Sequence, residues 1–481
     1  MQTIKLTIVI FIICLANTVF SQTKSKPVKI LLLKNFVQMA LQNHPTLKKI
    51  QHDTNEQIFQ NKRKKAIQDL TLNLESFYEY TTALYNNNNK WGSKSKEFDF
   101  QAAIVKKFPH LLGMTSQLNL NFKALNGYNY SSSSSLDSYD PSIELQLTLP
   151  LLKNFLGKID KSQLKEMKLY RKIIDLSKKE AIEAFILYLH LEYFTWLNLK
   201  EKKDIYEGFM KRSYQVYGQV IRKMKLKIAD QVDVYLAQQN YLYYLNQFKE
   251  SSTSYNNQTL KIFDLINNKN WVKKNQLIEP QNNSYHFQNQ IMLKKSFSHS
   301  RLIDIAKTEI KRSSNLYSAS KNDQLPNLDL ILKAGRAGSH DDIDNSFKYF
   351  NQNNFYIGFQ MSIPFENREK KNIKKAYKNQ TYKMKKELII LQKEIILTKN
   401  QYYHKIKDRI RSFKVKNKMV NILKIRANLM QRKYLQGRVT LDQLTDARNL
   451  YANSRINLID EYSSLHKLYY EYLALCDQLL K

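Results

Sequence analysis

Two stretches carry the first decision about this chain: IELQLTLPL at Ile143–Leu151 and IGFQMSIPF at Ile357–Phe365. In the first, Ile143, Leu145, Leu147 and Leu149 alternate with Glu144, Gln146 and Thr148. In the second, Ile357, Phe359, Met361 and Ile363 alternate with Gly358, Gln360 and Ser362. Strict alternation puts one apolar and one polar face on a β-strand. Each stretch then meets a proline, Pro150 or Pro364, and leads into a long proline-free segment. The same rhythm appears at Leu70, Leu72 and Leu74, at Leu118, Leu120, Phe122 and Ala124, and at Leu328, Leu330 and Leu332. A half-buried soluble sheet alternates in this way. So do the ten-residue strands of a transmembrane barrel, and alternation alone leaves both open.

Working outward, the eight prolines fall at 27, 45, 109, 141, 150, 280, 326 and 364, which leaves 151–279 and 365–481 free of them. These stretches are predicted to be helical. In the second, Ile389, Ile396, Tyr403 and Ile410 recur every seven positions, as do Ile406, Phe413 and Val420. A sustained seven-residue period implies left-handed supercoiled packing. No Gly or Pro interrupts Arg368 to Gln436, long enough for a rod of roughly 100 Å. Lys158 to Leu226 offers an equally long stretch, interrupted only by Gly208 and Gly218.

The 481 residues include 77 Lys+Arg against 42 Asp+Glu, a net charge of +35, with 10 Gly and 8 Pro. The composition excludes a small disulfide scaffold and an acidic disordered tail, and the few turn residues suit a small number of long elements. Cys14 and Cys476 are the two cysteines, and Cys14 lies in the N-terminal apolar run. Neither metal-ligand spacings nor nucleotide-binding or nucleophile-elbow motifs occur. The reading is of a protein that is not an enzyme, with no cofactor and no metal. Residues 1–21 read as an export signal: Lys5, then an apolar run from Leu6 to Phe20, then Val19-Phe20-Ser21 before Gln22. That run is short of the ~20 residues that span a bilayer, and Ile13 before Cys14 does not suit a lipobox. With no later apolar helix of spanning length, entry into a membrane is expected by strands.

The chain also repeats itself. Besides the two opening stretches, DLTLNL at Asp69–Leu74 corresponds to LPNLDL at Leu325–Leu330, and Asp233-Val234-Tyr235 is placed opposite Asp442-Gln443-Leu444. The expected organisation is a first repeat at 22–270 and a second at 297–481, joined by a linker at 271–296. The first repeat has a helix, strands at about 70–80, 98–105, 114–124 and 141–150, a long helix at 158–226 and a returning helix at 230–266. The second has a helix, strands at about 326–336 and 355–364, a long helix at 368–436 and a returning helix at 441–480. Two such halves make a quasi-symmetric unit suited to completing a ring.

ILLLKNFVQMALQNHPTLKKI (Ile30–Ile50), QLPNLDL (Gln324–Leu330), QLTLPLLKNFLG (Gln146–Gly157) and YLQGRVTLDQLTDARNLY (Tyr434–Tyr451) resemble, in this order and spacing, the TolC-like outer-membrane efflux proteins, or outer-membrane factors. The resemblance covers essentially the whole chain after the export signal. It implies a mainly α fold with a membrane β part: long coiled-coil helices form a periplasmic α-barrel, and strands from a homotrimer form one β-barrel. It implies localisation in the cell outer membrane with helices reaching into the periplasm. The implied partners are a periplasmic adaptor (membrane fusion) protein, an inner-membrane transporter and outer-membrane lipid. The chain departs from the pattern at Phe98–Val105 and Met114–Ala124, which read as an additional hairpin. Segments 86–90 and 131–135 would be outer-face loops.

The resemblance further implies a gate at the periplasmic tip. Asp442 and Asp446, with Thr445 at the family's second acidic position, would form the selectivity ring. Tyr434, Arg438, Asp233 and Asp230 would lock it, with Gly437 in the tip turn. Because Lys227-Ile228 stands where a glycine would be, the first tip turn is expected to be shaped differently. An i,i+4 surface pair between Arg438 and Asp442 is the alternative to a lock. Lysine runs such as Lys62-Arg63-Lys64-Lys65 could face anionic head groups or simply water; the export signal argues against nucleic acid. Two functions stand at this point: the exit duct of a tripartite efflux or type I secretion system, and a periplasmic or secreted coiled-coil scaffold without channel activity.

Overall fold

A computed structural model describes residues 29–83, 93–129, 134–135, 137–267, 278–280 and 300–480. The expected export signal at 1–21 and the loop at 86–90 lie outside the described residues. So do most of the expected linker at 271–296 and all but Ser134 and Ser135 of the loop at 131–135.

Helices α1 (Leu33–Asn43) and α2 (Pro45–Lys62) follow the short strand β1 (Lys29–Leu31). Four long strands come next: β2 (Leu70–Ala83), β3 (Ser93–Phe108), β4 (Met114–Asn129) and, after the two-residue β5 (Ser134–Ser135), β6 (Ser138–Pro150). Helix α3 (Lys158–Lys225) and the returning α4 (Gln231–Ile266) complete the first half. The second half has β7 (Ile278–Pro280), α5 (Arg301–Asp323), β8 (Asn327–Ala337), the short α6 (Ile343–Lys348), β9 (Gln352–Ser362), α7 (Arg368–Leu435) and α8 (Leu441–Leu475). The strands β3 and β4 run past 98–105 and 114–124 at both ends or one. Within the expected linker, Ile278–Pro280 pairs in parallel with Lys29–Leu31.

Helices α3 and α7 have 68 residues each. Their ends are offset by 210 residues, Lys158 to Arg368 and Lys225 to Leu435, as are the starts of α4 and α8, Gln231 to Leu441. That fixed offset places Val232, not Asp233, opposite Asp442. The sequence alignment paired carboxylates and so slipped by one position.

The chain divides into two compact units, one of residues 1–49, 182–298 and 397–481, the other of 50–181 and 299–396. The first is helical with an apolar interior. Phe36, Leu189, Trp196 and Ile262 are buried together, while Trp196 Nε1 donates to Thr259 Oγ1 at 2.8 Å and Tyr193 Oη to the Leu31 carbonyl at 2.8 Å. Burying indole and phenol with their polar atoms bonded secures the area without an orphaned donor. Glu461 is also buried here, and Arg409 Nη1 reaches it at 2.9 Å and Lys416 Nζ at 2.5 Å. Burial pushes its carboxyl up, but those two cations outweigh burial and leave the group below its ordinary range.

The second unit carries the sheet, in the order β2-β3-β4-β6-β8-β9, with every neighbouring pair antiparallel. Its helices pack through polar groups. Glu166 is buried between Lys64 and Arg312, the latter at 2.7 Å, Asn61 Nδ2 donates to the Met167 carbonyl at 2.8 Å, and the hydroxyls of Ser313 and Thr381 lie 2.8 Å apart. Lys64, one of the run of basic residues, is therefore held by a buried carboxylate.

Candidate functional site: a two-faced sheet and a helical tip

Register turns the alternation of single strands into continuous faces. On one face, Leu72, Ile104, Leu118, Leu145, Ala334 and Phe355 stand side by side across all six strands. A second row runs Leu74, Ala102, Leu120 and Ile143, and a third joins Leu149, Leu330 and Phe359. The opposite face presents Asn73, Ala103, Asn119, Glu144, Gly335 and Asn354 in one row. There Lys123 pairs with Glu97 at 2.6 Å and Lys333 with Glu144 at 3.2 Å, while Asn119 Nδ2 donates to Glu144 at 3.3 Å and Gln117 to Asn119 at 2.6 Å.

The apolar face is open. Phe355 is 76 % exposed and Phe359 70 %. On β3 its apolar run, Phe98 to Ile104, is bounded by Lys96 and Lys106. Ten steps of ~3.3 Å, tilted ~40° as barrel strands are, make a band about 25 Å tall. Tyr78, Tyr80, Phe98 and Phe100 gather toward one rim of it. Among the described residues the sheet ends at two unpaired edges, β2 and β9.

At the other candidate site, the two helical hairpins end in matching turns. After α3, the Lys227 amide donates to the Met224 carbonyl and the Ile228 amide to the Lys223 carbonyl, both at 2.9 Å. After α7, the Gly437 amide donates to Tyr434 at 3.1 Å and the Arg438 amide to Lys433 at 2.9 Å. These are the paired bonds of a helix ending in a left-handed residue. Lys227 (φ 58°) occupies that position as Gly437 (φ 70°) does, so the first turn is not shaped differently as expected. Beyond them Thr440 caps α8 reciprocally with Gln443, whereas the Asp230 side chain makes no cap bond to α4.

Val216, Val220, Val234 and Ala237 from one hairpin bury against Tyr434, Leu441 and Leu444 from the other. Burial together with the nearby charge of Asp233 raises the Tyr434 phenol, and Arg448 opposes the shift. Of the expected site residues, the structure thus brings Tyr434 and Asp233 together. Arg438, Asp442, Asp446, Asp230 and Gly437 are exposed, and Thr445 is buried. Arg438 lies before the Thr440 cap, so it is not in helical i,i+4 register with Asp442. Among the described residues neither joins an ion pair. Sequence reading missed Lys223, whose ammonium sits 4.1 Å from the Tyr434 ring centre, and Arg448, which bonds Gln431. Lys223 comes from the other repeat, so no local spacing marks it. Arg448 follows Gln431 by 17 residues across a turn.

No described helix is long and apolar enough to cross a membrane. No protein-family model matches the sequence, and no curated protein does. Solved structures do match. The transmembrane channel protein CusC aligns with a TM-score of 0.67 at 12% identity, covering 95% of this chain and 95% of that one. The outer-membrane protein VceC of Vibrio cholerae aligns at 0.67 and 11%, over 92% and 95%. The open state of the MtrE outer-membrane channel of Neisseria gonorrhoeae aligns at 0.62 and 12%, over 93% and 89%. At such identities the likeness is one of architecture, long helices with an antiparallel sheet, and it extends over nearly the whole chain. The chain has the fold of the TolC-like outer-membrane channels.

Proposed function

We propose that this chain is one protomer of a homotrimeric outer-membrane channel, the passive exit duct of a tripartite efflux or type I secretion system. The observation that carries this reading is an apolar face that crosses all six strands, backed by a mainly polar one. Apolar area left in water forfeits about 25 cal/mol per Å², whereas facing acyl chains it costs nothing. A closed barrel also satisfies the two open edges, which lipid cannot. Helices of 68 residues carry the duct into the periplasm. There a periplasmic adaptor would dock on the tip hairpins and an inner-membrane transporter would supply the energy, with no catalytic step in this chain.

The tip would act as the gate. Asp442 and Asp446 lie one helical turn apart on an exposed face, so copies of the chain would line a constriction with carboxylates that favour cations. Arg438, exposed and without an ion-pair partner among the described residues, would be held by a carboxylate of a neighbouring copy, and Tyr434 with Asp233 would fix the turn it leaves from.

In planar bilayers, Arg438→Ala combined with Asp442→Ala is expected to raise single-channel conductance and to weaken block by multivalent cations. Unchanged conductance and block would remove the gate from this reading. Fractionation tests the duct itself. The protein is expected in the outer-membrane pellet as a detergent-soluble trimer, and recovery with soluble periplasmic protein would favour the scaffold.

A further inference from the structure

We infer that the hairpin β3–β4 is part of the barrel wall and that three chains close an eighteen-stranded barrel, with β9 of each pairing antiparallel to β2 of the next. This rests on the homotrimeric membrane channel proposed above. It fixes what that reading leaves open, namely how many strands each chain contributes.

The repeat alone would supply four. β2 corresponds to β8 and β6 to β9, as Asp69–Leu74 matches Leu325–Leu330 and Ile143–Leu151 matches Ile357–Phe365. β3 and β4 have no counterpart in the second half. An inserted hairpin could fold away over one face, but this one does not. It pairs with β2 along all of Leu70–Ala83 and with β6 from Thr115 to Leu125, and the apolar rows through Leu72 and Leu74 cross it to Leu145 and Ile143.

Its inner end is tied to the start of α3. Gly113 (φ 73°) and Gly157 (φ 68°) bring two backbones so close that a Cβ on Gly157 would lie 2.2 Å from the Pro109 carbonyl oxygen. Lys107 Nζ reaches the buried Asp160 at 2.9 Å, and Asn154 Nδ2 donates to the same carboxylate at 2.7 Å. The hairpin is thereby anchored in the same strand-to-helix junction as the rest of the wall.

The edges suit a second copy of this chain. Six alternating strands leave β2 and β9 pointing in opposite senses, so each junction between copies is antiparallel, and an even count keeps this true all the way round. Soluble edge strands are blunted with lysine or proline. β9, QNNFYIGFQMS, has no charged residue and no proline. Its Phe355, Ile357 and Phe359 bring the apolar face up to the edge, where Leu70, Leu72 and Leu74 of β2 can continue it. Barrel diameter grows roughly linearly with strand number, and eighteen strands lie in the range that leaves an open aqueous lumen.

Cysteine accessibility tests this in the full-length protein in outer-membrane vesicles, with Cys14 and Cys476 replaced by alanine and a charged, membrane-impermeant thiol reagent as probe. Ala103→Cys on β3 is expected to label at least about tenfold faster than Ala102→Cys, matching Glu144→Cys against Leu145→Cys on β6. Alternation on β6 without alternation on β3 would overturn the wall assignment while leaving the channel standing. Loss of alternation on β6 would overturn the channel reading and this inference with it. For the junction, Asn73→Cys is combined in turn with cysteine at Asn354, Tyr356, Gly358 or Gln360. At least one pair is expected to cross-link into a ladder that ends at three chains. A ladder that ends elsewhere, or none with any pair, would overturn the β9–β2 closure.

Discussion

The two compact units differ in what they bury. In the helical unit apolar side chains form the buried clusters, as with Leu444 and Leu458, both essentially inaccessible, while others such as Val232 and Ile422 stand exposed and charge is held at Glu461. In the unit that carries the sheet, the helices bury Glu166, Ser313 and Thr381, and the large apolar side chains of β2 and β9 stand outward. Among the described residues every buried apolar cluster belongs to the first unit. The first unit has an apolar interior of its own. The apolar face of the sheet in the second has no such interior to enter, and a two-faced wall names its surroundings: acyl chains against one side and water against the other.

The comparison can be broken most severely at the buried tip. Leu444→Ala opens a cavity where the two hairpins meet and is expected to cost about 2–5 kcal/mol, read as a fall in the unfolding midpoint of the detergent-solubilised protein. Phe359→Arg sharpens it next. In a water-exposed strand such a change stays within about 0.5 kcal/mol, but on a lipid-facing strand it costs about 2–4 kcal/mol near the bilayer midplane. The expected readout is impaired assembly into the outer membrane, whereas Gln360→Arg one position along is tolerated.

Acid provides a smaller test of the helical unit. His466, stacked on Phe194 at 4.4 Å, is pushed down by burial to about 3 from its ordinary 6.5. The unfolded chain therefore takes up that proton first. The contribution is complete above pH 6.5 and declines as pH falls toward 3, amounting to about 1–2 kcal/mol lost by pH 5 at 1.36 kcal/mol per unit. Glu461, held below its ordinary value, adds its loss only at lower pH, below about 4.5 and through its lowered folded value. Melting at pH 7 and pH 5 should show the fall in the parent and a smaller one in His466→Phe.

The smallest expected effects compare the two tip turns. A Cβ on Gly437 would meet nothing within 4 Å, so Gly437→Ala is expected to cost about 1 kcal/mol for the left-handed backbone alone. Lys227→Gly should recover a similar amount on the other side, both measured as shifts in the melting midpoint.

Much of this was legible in the sequence because period and proline are local signals. Alternation marked Ile143–Leu149 and Ile357–Ile363, and the absence of Gly and Pro marked both long helices. The resemblance in motif order pointed to the architecture that the solved channels share. What escaped depends on partners far apart in the chain. Nothing near Glu166 announces Lys64 and Arg312, which lie 102 and 146 residues away. Lys227 carries no signal for a left-handed turn, because the bonds around it, not its own preference, impose one. The alignment of Asp233 with Asp442 went astray for a related reason: charge was matched where backbone geometry sets the register.

Site-directed spin labels placed singly along β9 in reconstituted protein test the central claim most directly, read by collision with oxygen, which partitions into lipid, and with a water-soluble nickel chelate. Labels at 355, 357, 359 and 361 are expected to meet oxygen and those at 354, 356, 358 and 360 the chelate, two period-two curves in opposite phase. Curves that rise and fall together, or chelate access at every position, would contradict a sheet that walls a channel through lipid.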